Sequence, residues 1–131
     1  MKKLSTAEYL SSVRNLSEDM FVTVTSLKLR KLWGFFRMSY LSMHVVRQTK
    51  QQKGFVSMQH TGFGYLHFTL SAWESEEDIK NFARSGAHLA AMKVSRSLSS
   101  EIRIYTFQAE EIPNWKDAKQ LLFERGKILS F

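Results

Sequence analysis

The stretch YLHFTLSAW, residues 65–73, alternates strictly from one end to the other. Alternation at a period of two places Leu66, Phe68, Leu70 and Ala72 on one side. Tyr65, His67, Thr69, Ser71 and Trp73 fall on the other, so one side is apolar and its reverse is polar and aromatic. The chain must therefore build a sheet that gives work to both sides. A second strand is predicted over MFVTVTSLKL, residues 20–29, from its β-branched and alternating residues. There Val22 and Val24 share a side while Leu27 and Leu29 have the opposite parity, and a bulge near Ser26 would reconcile them.

The segment LWGFFRMSYLSMHVVRQ is too long and too apolar for a loop. At about 100° per residue it is a helix whose broad stripe is Leu32, Trp33, Phe35, Phe36, Tyr40, Met43 and Val46. That stripe is expected to pack on the sheet. Met38, Leu41 and Val45 form a second patch, expected to meet another subunit or a loop. GFVSMQH reads as a short strand and TGFG as a turn or bulge carrying two glycines. In ESEEDIKNFARSGAHLAAMKVSRSL, Ser75 can cap a helix whose first turn holds Glu76, Glu77 and Asp78, and Gly86 divides it in two. SEIRIYTFQ is a last strand, and beyond Pro113 a final helix runs to about Gly126. The order β-α-β-β-α-β plus a C-terminal helix is the α+β, ferredoxin-like plan, an antiparallel sheet with helices on one face. The other face is expected to be bare within a monomer. Residues 20–131 form one such domain. Residues 1–19, where Ser5-Thr6-Ala7-Glu8 fits a capping box, form an extension or a short helix.

With no cysteine, disulfides and thiolate metal sites are excluded. The four histidines show neither H-x-x-x-H nor H-E-x-x-H spacing, so no bound catalytic metal is expected. His44 and His60 are expected at the surface. The N-terminus lacks the apolar run of a signal peptide, and no segment has the roughly 18 apolar residues of a membrane span. A soluble cytoplasmic protein is expected. The net charge of +7 is concentrated: no acidic residue stands between Asp19 and Glu74, while Lys28, Arg30, Lys31, Arg37, Arg47, Lys50 and Lys53 do. Such a region is a solvated surface, or it attracts an anionic ligand, an acidic partner, a lipid headgroup or a nucleic acid.

TGFGYLHF, residues 61–68, approaches the pattern by which RNA-recognition strands stack bases. Three features oppose that reading. Thr61 stands where the pattern wants a cation, the strand continues about five residues past Phe68, and the partner strand has Phe21 but no second short aromatic motif. No nucleic-acid partner is expected. Long strands amphipathic on both sides suit a sheet that closes on a second sheet, so that two subunits make one barrel.

LSAWESEEDIKNFARSGAHLAAMK, with its strand-ending Trp73, acidic helix start, Phe82, and Ser85 shortly before His88, resembles the dimeric α/β-barrel superfamily that includes the antibiotic-biosynthesis monooxygenases. LWGFFRMSY is similar to the first-helix motif of spheroidene monooxygenase-like proteins. The two similarities cover roughly residues 20–108, with Phe82 standing where many antibiotic-biosynthesis monooxygenases have a helix histidine. The resemblance implies a homodimer that oxygenates a small apolar or polycyclic molecule without metal or flavin, the deprotonated substrate giving electrons to oxygen. The polar-aromatic side of residues 65–73 could line its cavity. His67 or Tyr65 would then orient or deprotonate the substrate and His88 would have a pocket role. Thr69, Trp73, Phe36 and Tyr40 would contact the substrate, Trp73 as a stacking wall. Relatives associated with haem imply the alternative of an axial His67 or His88. A barrel that binds a small ligand without catalysis is the second reading, and an RNA-binding module drawing on the basic segment is the third.

Overall fold

The computed structural model describes residues 19–130; the capping box at residues 5–8 and the extension around it lie outside the described residues. The chain runs β1 (Met20–Leu29), α1 (Gly34–Gln51), β2 (Phe55–Phe63), β3 (Leu66–Trp73), α2 (Glu76–Ala83), α3 (Gly86–Leu98), β4 (Ser99–Ala109), α4 (Trp115–Arg125) and β5 (Lys127–Ser130). The strands form one antiparallel sheet in the order β2-β3-β1-β4-β5. This is the expected α+β, ferredoxin-like order, extended by a fifth strand that returns after α4 to pair with β4.

No bulge occurs at Ser26, which pairs in step with Phe68 on one side and Arg103 on the other. The only shift against β4 is at Lys28/Leu29. The change of parity along β1 has a simpler cause: both faces of the strand are covered, so Val22, Val24 and Leu29 are all buried. The TGFG segment also differs from expectation. β2 continues to Phe63, and Gly64-Tyr65 alone makes the turn, with Gly64 at a φ of 64°. A glycine in the first position of a two-residue hairpin loop supplies the positive φ that a type II′ turn requires.

One face of the sheet carries Met20, Val22, Val24, Phe68, Leu70 and Ala72, sealed by Ala118 and Leu122 of α4. This is the side of the sheet away from α1, α2 and α3, and it carries the apolar residues of β3 where the polar-aromatic ones, with His67 and Trp73, are expected. The chain covers its centre with its own C-terminal helix, whose side chains at positions 115, 118 and 122 recur at helical spacing. Asn114 starts that helix by accepting a hydrogen bond from the Asp117 N–H at 2.8 Å.

The opposite face packs against α1, α2 and α3. Ser75 caps α2, accepting from the Asp78 N–H at 3.1 Å, and the predicted break at Gly86 separates α2 from α3. α1 is turned over relative to expectation. Gly34 and Thr49 are buried and Met38, Leu41 and Val45 are half-buried, whereas Leu32, Trp33, Phe36, Tyr40 and Met43 are exposed. The reason is steric. α1 lies chiefly against α3, and Gly34 sits where an added Cβ would already touch Leu29 and Leu98. So close an approach admits small and aliphatic side chains and not a row of aromatic rings.

Candidate functional site

Strand parity puts His67, Thr69, Ser71 and Trp73 on the helix-covered face, between sheet and helices, and not on the face where a second sheet would close a barrel. An enclosed hollow beside His67 and Trp73, formed by a twin subunit, is therefore corrected: α1, α2 and α3 of the same chain cover these residues. Two groups result, one at each end of β3.

At the hairpin end, His67 stacks on Phe35 of α1, with ring centroids 5.3 Å apart. Its Nε2 lies 2.9 Å from the Gly64 carbonyl oxygen. A carbonyl only accepts, so Nε2 carries the proton and neutral His67 has its lone pair on Nδ1. Gly62, opposite His67 across the strand pair, gives that ring its room; a Cβ there would stand 2.6 Å from Nδ1. Two pairs along, on the same face, His60 faces Thr69, with Nδ1 and Oγ1 3.2 Å apart. His60 is exposed, as expected, yet the protein around it withholds enough water to lower its pKa below the usual histidine value. Two imidazoles, a threonine hydroxyl and a phenyl ring thus share one end of the helix–sheet layer. Sequence reasoning missed His60 and Phe35. The usable signal for His60 was the turn: with Gly64-Tyr65 as a two-residue loop, counting back pairs residue 60 with residue 69.

At the other end, Trp73 is buried between Phe55 and Phe82, with ring centroids 5.9 and 5.0 Å away. His88 continues this stack at 4.6 Å from Phe82. Its Nδ1 lies 3.3 Å from the Ala83 carbonyl oxygen and so carries the proton, while its backbone N–H donates to Gln48 Oε1 at 3.3 Å. The Gln48 amide also donates to Ser85 Oγ, which donates in turn to the Phe82 carbonyl at 2.6 Å. This is a ring stack closed by a hydrogen-bonded strap between α1 and the α2–α3 junction. Burial pulls the His88 pKa below its usual value, and the bond to Ala83 only partly opposes this. The sign follows: below about pH 6.5 the unfolded chain binds a proton that the folded chain resists, so this contribution to stability is complete above that pH and lost as pH falls. We predict that the thermal midpoint falls between about pH 7 and pH 5 and that His88→Gln makes this fall shallower. An unchanged slope in the variant would remove His88 from the effect.

Among the other candidates, Tyr65 is exposed in the hairpin turn, where its carbonyl accepts from the Leu29 N–H at 2.8 Å. Phe36 and Tyr40 lie on the outer face of α1, Tyr40 edge-on to His44 at 5.0 Å, and neither lines the helix–sheet layer. Phe68, the last aromatic of the RNA-like stretch, is buried beneath Trp115 and Phe123 of α4 and offers no face for a base. A haem axial bond fits His67 poorly, because Nε2 is held by Gly64 and Nδ1 abuts Gly62. Among the described residues no three His, Asp or Glu side chains gather as a metal site would require.

Solved structures share this fold. A conserved protein from Methanosarcina mazei superposes with a TM-score of 0.66 at 13% identity, covering 77% of this chain and 98% of its own. SnoaB from Streptomyces nogalater, a cofactor-independent oxygenase, matches with a TM-score of 0.61 at 14% identity over 73% of this chain and 99% of its own. A Nitrosomonas europaea protein, provisionally an antibiotic biosynthesis monooxygenase, gives 0.65 at 10% identity over 71% and 92%. The fold is that of the antibiotic-biosynthesis monooxygenase-like proteins. No protein-family model and no curated sequence matches the chain. At these identities the antibiotic-biosynthesis monooxygenase-like fold positions the site, and the chemistry must be argued from the residues.

Proposed function

We propose that this chain is a cofactor-independent monooxygenase acting on a small apolar or polycyclic molecule with an acidic C–H or O–H, held beside His60, His67 and Thr69. The observation that carries the reading is the pairing of these groups with Phe35 on the helix-covered face. His60, whose lowered pKa favours the neutral ring, takes the substrate proton. The His60 imidazolium so formed and the Thr69 hydroxyl hold the resulting anion by hydrogen bonds, while His67, with its orientation held by Gly64, and Phe35 bound the apolar part. The anion then passes electrons to dioxygen. For a CH₂ group oxidised to a carbonyl, one oxygen atom enters the product and the other leaves as water with the two hydrogens, so the substrate is the only reductant. The fold shared with SnoaB supports this reading. The active form is proposed to be a homodimer in the cytoplasm, joined through the sheet face around α4, where Phe63, Phe123 and Ile128 stay exposed.

The test uses dithranol, a tricyclic anthrone with an acidic CH₂, in an oxygen electrode with no cofactor added. Oxygen uptake above the spontaneous rate is expected, with one dioxygen consumed per dithranol. His60→Ala should slow it about 10²–10⁴-fold, and His67→Ala should slow it to a smaller degree, each while the assembly is retained. Uptake unaffected by both substitutions refutes the site. Quenching of tryptophan fluorescence without uptake favours a ligand-binding barrel that does no chemistry, and a Soret band in the purified protein favours haem. If His67→Ala dissociates the dimer, that histidine is structural.

A further inference from the structure

The outer face of α1 has no partner in the fold, and its composition is specific. Trp33, Phe36, Tyr40, Met43, Arg47 and Lys50 recur at spacings of three and four, so they form one stripe along the helix. All six are exposed, Trp33 at 65% and Phe36 at 75%. Four of the six are apolar or aromatic and the last two are cationic. Arg37 flanks it, and Arg30 and Lys31 stand exposed just ahead of the helix, the Lys31 ammonium 5.8 Å from the centre of the Trp33 ring. Neither α1 nor the strands on either side of it carry an acidic residue. A row of exposed rings is unusual on a surface that meets only water.

The geometry points to α1 as an interfacial helix that seats this protein on an anionic lipid surface. Tryptophan and tyrosine favour the headgroup level, where one part of the ring is dry and another wet, and arginine and lysine at the same level meet lipid phosphates. The inner side of α1 is occupied by its packing on α3, which leaves the outer side free to lie in the plane of the interface. No helix of the described residues is long and apolar enough to cross a bilayer, so the association is with the surface. Charge argues against a second copy as the occupant. Two such faces brought together by a two-fold axis would set cation against cation, with no carboxylate on either to answer them.

The experiment is cosedimentation of the full chain with vesicles of phosphatidylcholine alone or enriched in phosphatidylserine. Pelleting with the serine-containing vesicles at low salt, weakened at high salt and absent with phosphatidylcholine alone, is expected. Binding should shift tryptophan emission to the blue, and Trp33→Phe should remove the shift. Phe36→Ser and Arg37→Glu should each reduce binding about tenfold with an unchanged thermal midpoint, since both side chains are exposed. The proposal is overturned if the wild type stays in the supernatant, or if these substitutions leave pelleting intact. It is equally overturned if Trp33→Ser splits an oligomer without touching lipid binding, or if the stripe retains single-stranded RNA and not vesicles.

Discussion

Trp73→Ala is expected to lower the free energy of unfolding by about 4 kcal/mol, the range for deleting a large ring from a packed core. Trp73 is 1% exposed and closes the ring stack Phe55–Trp73–Phe82–His88, which joins the end of β3 to β2, α2 and α3. Removing the indole leaves a void whose neighbours are held by the sheet register on one side and by the Gln48–Ser85 strap on the other, so collapse into it is limited. Against a total stability of about 5–15 kcal/mol, the loss places the variant near its unfolding midpoint at mild denaturant. Denaturant titration would read a lower midpoint with the slope unchanged. A role as an accessible stacking wall for substrate predicts the reverse, a stable variant with weakened ligand binding. A midpoint shift corresponding to under about 1 kcal/mol would favour that role over the packing account.

Leu122→Ala tests the other face and is expected to cost about 3 kcal/mol. Leu122 is fully buried, and with Ala118 it covers Val22, Val24, Phe68 and Leu70 from the side without other helices. The loss should leave the oligomeric state unchanged, because α4 seals the centre of this face within its own chain and the proposed dimer uses what surrounds it. If α4 instead gave way to a partner's sheet in solution, Leu122 would lie outside the core. The substitution would then cost under about 1 kcal/mol, and the elution volume would move.

These two positions also show what a sequence can and cannot convey. The alternation of residues 65–73 and the β-branched run of β1 were sufficient to set those two strands, because a period of two is a local property of the backbone, whereas the four-residue β5 is too short to show it. The cap at Ser75 and the break at Gly86 were legible for the same reason, being decided within one helical turn. The site was legible only in part. His67 and Thr69 stood out on the polar side of β3, but His60 joins them through a register set by the Gly64-Tyr65 turn, and Phe35 through the docking of α1.

By itself the sequence determined the elements before β5, the two sides of β3 and the concentration of positive charge between residues 20 and 73. Only the tertiary structure decided which side of the sheet meets the three central helices and which side of α1 meets water. When a strand is buried on both faces, periodicity says that two environments exist and does not say which is which. For α1, the stripe richest in apolar area lost to the stripe that allowed the closer approach at Gly34 and Thr49. Hydrophobicity is a property of a side chain, whereas fit is a property of two surfaces, and the second surface is not written in the helix itself.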